Sequence, residues 1–187
     1  MSKEKTEEWI KAGYKLFSSE GMESLKVERL ARTLELNKSG FYHYFGSMNI
    51  YLKGLCEYHV NLARKVTQEV ARCKDLDPDL LLLMIRHKSF FLVESQLLVK
   101  CKPVQFAEDI STAGKIVSKE LLPLWRKFTQ LPEDSAAAIA YLNIILHFFY
   151  ARINSNNMNY EFLHSLTVET QEVLKKVMNE KYAYGKN

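Results

Sequence analysis

The residues of this chain best suited to touch another molecule stand together in one short stretch, KSGFYHYFG, from Lys38 to Gly46. Wound as a helix, the stretch puts Lys38, Ser39, Tyr42 and His43 on one side and Phe41, Tyr44 and Phe45 on the other. An ammonium, a hydroxyl, a phenol and an imidazole side by side can neutralise and hydrogen-bond phosphate oxygens. Ser39 and Gly40 fall near the helix start, where small residues can approach base edges closely. Lys26 and Arg29 stand just upstream and flank the same surface, although Glu28 between them argues for an ordinary solvated face over part of it. The bland alternative is the polar outer side that any small helix carries. Phe41, Tyr44 and Phe45 read most simply as the core that locks it.

Elsewhere the chain offers little chemistry. Cys56, Cys73 and Cys101 are odd in number and far apart, which suits free thiols in a reducing cytosol rather than a disulfide framework or a zinc site. Five scattered histidines lack metal-ligand spacing, so no metal and no cofactor is expected. HExxH, a phosphate-binding glycine loop, GxSxG and CxxC are absent, and no catalytic residue is proposed. His87 and His147 are the polar residues that interrupt apolar helices.

These side chains need a scaffold, and residues 24–46 describe one. Val27, Leu30, Ala31 and Leu34 give a first short helix one apolar face. A polar break follows, with Asn37 as a candidate cap for the second helix, Lys38–Phe45. Helix, tight turn, helix is the pattern of a helix-turn-helix, whose second helix enters the major groove. A first helix over residues 4–20 ends at Gly21, and a long one runs over 48–73. Asp77 and Pro78 read as the cap and first turn of a helix over 78–99. Shorter patterns cover 104–112 and 115–129. Residues 135–153 are apolar nearly all round and therefore buried all round. Asn159 caps an amphipathic helix over 160–179. No strand is expected.

An apolar content of 47% suffices for a real core, and four prolines with seven glycines leave little room for disorder. The formal charge of +4 is compatible with nucleic acid without requiring it. No apolar run reaches the ~18 residues of a membrane span, and MSKEKTEEW has no apolar segment behind it to act as a signal peptide. A cytoplasmic protein without a membrane partner is expected.

The N-terminal quarter, about residues 8–52, resembles the TetR/AcrR family of bacterial transcriptional regulators. Ile10, Leu16, Phe17 and Gly21 match its first helix, Leu30 and Ala31 the centre of its second, and Lys38, Phe41, Tyr42, His43, Tyr44 and Phe45 its recognition helix. Three positions depart from the pattern. Glu35 replaces the usual turn glycine, Gly40 stands inside the recognition helix, and Met48 occupies the place of a phosphate-contacting lysine.

The resemblance implies an all-α fold in which a three-helix DNA-binding domain (residues 1–47) joins, through a long fourth helix, a helical ligand-binding and dimerisation domain (48–187). It also implies a homodimer that binds double-stranded DNA at a palindromic operator, as a repressor released by a small-molecule effector. A hydrophobic effector pocket would draw on Met84, His87, Phe91, Phe106, Trp125, His147 and Phe148, although either histidine could equally be satisfied within the core. The dimer face would draw on Ala137, Tyr141, Ile144, Phe148, Phe162, Leu166 and Val173, where four helices could meet across a twofold axis. The alternative reading is a dimeric ligand-binding or interaction module of the same fold that has lost strong specific DNA binding. A nearly neutral first 60 residues and Met48 motivate it.

Overall fold

The computed structural model describes residues 2–100, 107–130 and 136–184, with side chains at 4–99, 112–130, 136 and 138–176. Nine α-helices and no strand occur among them: α1 (Ser2–Glu20), α2 (Val27–Thr33), α3 (Lys38–Phe45), α4 (Met48–Val70), α5 (Leu81–Arg86), α6 (Lys88–Ser95), α7 (Ala107–Thr129), α8 (Ala136–Arg152) and α9 (Tyr160–Tyr184). The architecture is the expected one. A helix-turn-helix-like bundle, α1–α3, is joined by the long α4 to a C-terminal helical part.

Aromatic residues organise the N-terminal core. Trp9, Leu30, Phe41 and Tyr51 are fully buried. The Phe41 ring packs on Trp9, Phe45 and Tyr51 at centroid distances of 5.6, 5.2 and 5.1 Å. Tyr51 donates its hydroxyl hydrogen to the Trp9 carbonyl at 3.0 Å, pinning α4 to α1. That approach needs Gly13, since a Cβ there would stand 1.6 Å from the Tyr51 oxygen. This core does not end at α3: Leu55 of α4, Val93 of α6 and Leu97 just beyond it belong to it as well.

Local chemistry sets the ends of the elements. Gly21, at φ 85°, closes α1 as its position in the sequence suggests. Glu35 in the α2–α3 turn has φ 55°, a left-handed conformation that costs a residue with a Cβ about 1–2 kcal/mol. The turn is held by Leu36 N–H donating to the Ala31 carbonyl at 2.9 Å. Asn159 accepts from Phe162 N–H at 3.0 Å and caps α9 as expected. Asn37 does precede α3, but its side chain makes no capping bond.

Three further expectations are corrected. The single helix over 78–99 is two helices broken at His87 (φ −100°, ψ 28°), where the polar run Arg86–Ser89 divides two apolar stretches. Conversely, α7 continues from Ala107 through Gly114 to Thr129, with no break between Thr112 and Lys115. Ala113 and Val117, one turn apart and both buried, keep that face in register, and Gly114 marks a close approach to Glu94 rather than a helix end. Residues 104–106 of the shorter expected helix lie outside the described residues. Finally, Asp77 has the extended backbone of a residue before a helix (φ −120°, ψ 123°), but its carboxylate makes no capping bond. Its carboxylate accepts from the Tyr160 hydroxyl at 2.7 Å and lies 2.6 Å from His164 Nδ1.

The second core lies between α4, α5, α6, α7, α8 and α9, with Phe90, Phe91, Met158 and Leu163 almost wholly buried in it. α4 lies along α7 over much of its length. Its buried stripe runs Tyr51, Leu55, His59, Ala63, Val66, Val70, so one helix of about 35 Å serves both cores.

Candidate nucleic-acid interface and ligand cavity

α3 is fixed from beneath by Phe41 and Phe45 and presents Lys38, Ser39, Tyr42 and His43 to solvent. Tyr42 is 54% exposed although its ring leans edge-on against Phe41, which sets its direction. Gly40 is half-buried beside Trp9, with room for a methyl group: a Cβ would meet Trp9 Cζ2 at 3.8 Å. Lys26 is exposed at the entry to α2 and Arg29 is half-buried one turn on. All seven residues expected to face DNA therefore lie on α3 or on the beginning of α2.

Two of the cations already have carboxylate partners. Lys38 Nζ lies 2.9 Å from Glu28 Oε1 across the turn, and Arg29 pairs with Glu20 at the end of α1. The hydrogen bond from Lys38 holds the Glu28 carboxyl below its ordinary range. Sequence reading took Glu28 for a solvated neighbour, because a contact between residues ten apart follows no helical period. Met48 is half-buried against the N-terminal core.

In the C-terminal part, α5, α6, α7, α8 and α9 line a partly open cavity of about 100 Å³. Of the residues expected at an effector pocket, Met84, Phe91, Trp125 and Phe148 are among those that line it. α9 supplies a wall that the sequence did not reveal, through Leu163, Leu166, Thr167 and Thr170. The two threonine hydroxyls donate along their own helix, to the Leu163 carbonyl at 2.9 Å and the Leu166 carbonyl at 2.7 Å. Trp125 Nε1–H is likewise committed, to the Ala138 carbonyl at 2.9 Å. The interior is therefore apolar, and smaller than the ~150 Å³ space that accepts benzene in an engineered core.

His87 and His147 are not in that wall. His87 sits at the α5–α6 break with Nε2 3.0 Å from Glu69 Oε2, and its interaction, more than that of Arg86, holds the Glu69 carboxyl below its ordinary range. His147 is exposed, with Nδ1 2.7 Å from the Asn143 carbonyl of its own helix. Phe106 lies outside the described residues.

α8 is not buried all round. Ala136, Ala140, Ile144 and Phe148, each four residues from the next, are exposed and form an apolar stripe. Ile144 is 61% and Val173 of α9 58% exposed. Tyr141 is half-buried beside Trp125, and Phe162 is half-buried with the Arg152 guanidinium over its ring. Leu166 is buried against its own protomer and offers no surface to a partner. The side chain of Ala137 lies outside the described residues.

Among the described residues, no three His, Cys, Asp or Glu side chains are grouped to hold a metal ion. No described helix is long and apolar enough to cross a membrane.

Residues 10–49 match the family model for bacterial regulatory proteins of the tetR family. No curated protein matches the chain. Among solved structures, the chain is similar to a transcriptional regulator (TerR/AcrR family) from Aquifex aeolicus VF5. The TM-score is 0.56 at 18% identity, with 92% of this chain and 98% of that one covered. At that identity the likeness speaks for the fold.

Proposed function

We propose that this chain is a DNA-binding transcriptional regulator of the TetR type, acting in the cytoplasm as a homodimeric repressor that an apolar small molecule releases. The observation that carries the reading is α3 itself. Its inner side is bolted to Trp9, Phe45 and Tyr51 through Phe41, its outer side offers Lys38, Ser39, Tyr42 and His43, and it falls within the matched segment. A helix held this rigidly and displayed this fully suits entry into a major groove, with Lys38 on phosphate and Ser39, Tyr42 and His43 at phosphates or base edges.

The boundary near residue 47 divides a reading head, with Lys26, Arg29 and Gly40 at its rim, from the effector domain. The exposed α8 stripe and the exposed Val173 of α9 support a twofold contact through a four-helix bundle. The effector enters the space lined by Met84, Phe91, Trp125 and Phe148 and acts by preferring one dimer geometry to the other.

The test is selection from random duplexes by the purified full-length protein at about 0.1 M salt. An enriched palindrome, lost on changing both Tyr42 and His43 to Ala, supports the reading. A stable dimer that enriches nothing would refute it and favour the second reading, a ligand-binding or interaction module. The observation on that side is that Glu28 and Glu20 neutralise Lys38 and Arg29.

A further inference from the structure

An open groove of about 300 Å³ lies where α1 meets the body of the protein, at the lower end of the ~300–1,000 Å³ of small-molecule sites. α1 supplies Lys11 and Lys15 to one rim, and the α5–α6 break supplies Arg86 and Lys88 to the other. Tyr14 of α1, which is buried, and Tyr58 and Leu62 of α4, which are half-buried, line it more deeply. The two tyrosine rings meet edge-on at 5.0 Å and form an aromatic corner. The Tyr14 hydroxyl lies 2.7 Å from His59 Nδ1, and His59 Nε2 lies 2.8 Å from Glu94 Oε1. This buried polar chain joins α1 to α4 and α6 and uses up the phenol, so Tyr14 gives the groove only its ring. The groove shares no lining residue with the C-terminal cavity, and none of the seven residues expected to face DNA belongs to it.

Its charges do not balance. No Asp or Glu lines the groove. Two carboxylates stand behind the cations, Glu7 at 2.7 Å from Lys11 and Glu69 at 3.1 Å from Arg86. The Lys88 ammonium donates to the Ser155 carbonyl at 2.7 Å, a neutral partner. The Lys15 ammonium has no ion pair or hydrogen bond among the described residues. Four cations against two carboxylates leave two positive charges unanswered.

We propose that this groove binds a small dianion carried on an apolar or aromatic body, a phosphate monoester in chemical class. The phosphate answers Lys15 and Lys88, and the body lies against Tyr58 and Leu62.

Two unanswered ammonium groups match the nearly two charges of a phosphate monoester at neutral pH, whose second ionisation falls near pH 6. A cleft lined by one sign of charge above low-dielectric walls concentrates such an ion. A bare inorganic ion would use the rims and leave the aromatic corner empty. An uncharged aromatic would fill the corner and leave the charges unanswered. An occupant bridges α1 to the α5–α6 break, so it ties the N-terminal bundle to the body at a point that the apolar cavity does not reach.

The test titrates the full-length protein with phenyl phosphate at about pH 7.5 and about 0.05 M salt, by calorimetry, with ¹⁵N–¹H spectra to locate the site. Amide shifts are expected at Lys15 and Lys88 and not along α9. Phenyl phosphate should bind about fivefold more tightly than inorganic phosphate, which lacks the body, and than phenyl sulfate, which keeps the shape with one charge. Changing both Lys15 and Lys88 to Gln should weaken it about tenfold with the urea melt unchanged. Glu7→Gln removes the carboxylate that competes for Lys11 and should tighten binding about threefold; this variant carries the test if the double variant does not fold.

Inorganic phosphate binding as tightly as phenyl phosphate would reduce the groove to surface charge that holds any ion. Binding that survives the double variant would place the site elsewhere, and displacement of phenyl phosphate by random duplex DNA would give the groove to nucleic acid. Each of these overturns the proposal, as does the absence of any spectral shift at millimolar phenyl phosphate. If no duplex is selected while phenyl phosphate binds, the DNA reading falls and the groove stands; the converse removes the groove alone.

Discussion

Replacing Glu28 by Gln should make DNA binding tighter at low salt and more sensitive to salt. Lys38 and Glu28 lie 2.9 Å apart with side chains 57% and 59% exposed, so each lysine offered to a phosphate carries a competing carboxylate beside it. The lysine holds that carboxyl below its usual range, and it is therefore ionised throughout the neutral region. Gln keeps the size and removes the charge, leaving one freed lysine per protomer and two per dimer. Each phosphate neutralised adds about 0.9 to the slope of log K against log salt, so the variant dimer should be steeper by about 1.8. Between about 50 and 200 mM salt it should then lose roughly tenfold more affinity than the parent. Fluorescence anisotropy on the selected duplex at four or five KCl concentrations measures the slope. Lys38→Gln should flatten it, and adding Glu28→Gln to Lys38→Gln should restore nothing. An unchanged or shallower slope in Glu28→Gln alone would mean that Lys38 does not face a phosphate when the protein is bound.

Three other perturbations separate the structural supports. Gly13→Ala should destabilise the fold by about 3 kcal/mol, the upper end for an overpacked core, because its methyl group would enter the Tyr51 hydroxyl; Gly40→Ala, with 3.8 Å of clearance, should instead stabilise by about 1 kcal/mol in urea melts. Equal effects of the two would contradict the α1–α4 packing. Ile144→Asp on the α8 stripe should shift sedimentation from dimer to monomer with helicity unchanged, and a persisting dimer would move the twofold contact elsewhere. Asp77→Asn tests a pH effect. Burial pushes the Asp77 carboxyl up, but its bonds to Tyr160 and His164 outweigh that and leave it below its ordinary value. A depressed acid stabilises above its unfolded pKa, about 3.9, and that contribution disappears as pH falls through the lower folded value. Parent and variant should thus differ by a constant amount from neutral pH to about 5 and converge in stronger acid; a gap that widens on acidification would reverse the sign.

The N-terminal three-helix bundle was legible because its information is local. Leu30 and Ala31 on one short helix and Phe41 and Phe45 on the next follow the helical period, and all four are buried. The cavity was half legible. Met84, Phe91, Trp125 and Phe148 were recoverable as large apolar side chains in apolar helices, whereas Thr167 and Thr170 look in sequence like the polar side of an amphipathic helix. The histidines misled for a physical reason. A polar residue in an apolar run draws the eye toward a ligand, but His87 marks a helix break and His147 lies at the surface. The histidine that is buried, His59, did have a signal: it falls in register between Leu55 and Ala63 on the α4 stripe. Its partner Glu94 had none, since its burial depends on α1, α4, α7 and α8 closing over α6.

On the regulator reading proposed above, that placement bears on how an occupant of the cavity would reach α1–α3. α4 changes core at its midpoint: Tyr51 and Leu55 pack with the first, Ala63, Val66 and Val70 with the second, and His59 sits at the crossing. α7 lies along α4 and also forms part of the cavity wall through Leu121 and Trp125. A space of about 100 Å³ is smaller than a typical small-molecule site of about 300 Å³ or more, so an effector of that size would either reach out through the open side or move the walls. α7 also passes close to the polar chain: a Cβ added at Gly114 would stand 3.4 Å from Glu94 Oε2. Displacement of α7 by an occupant would therefore act on α4 through packing and would change the close approach of Gly114 to Glu94. An apolar wall alone would deform gradually under that push, whereas a hydrogen-bonded chain is either matched or mismatched, and a switch between two head positions needs that kind of element.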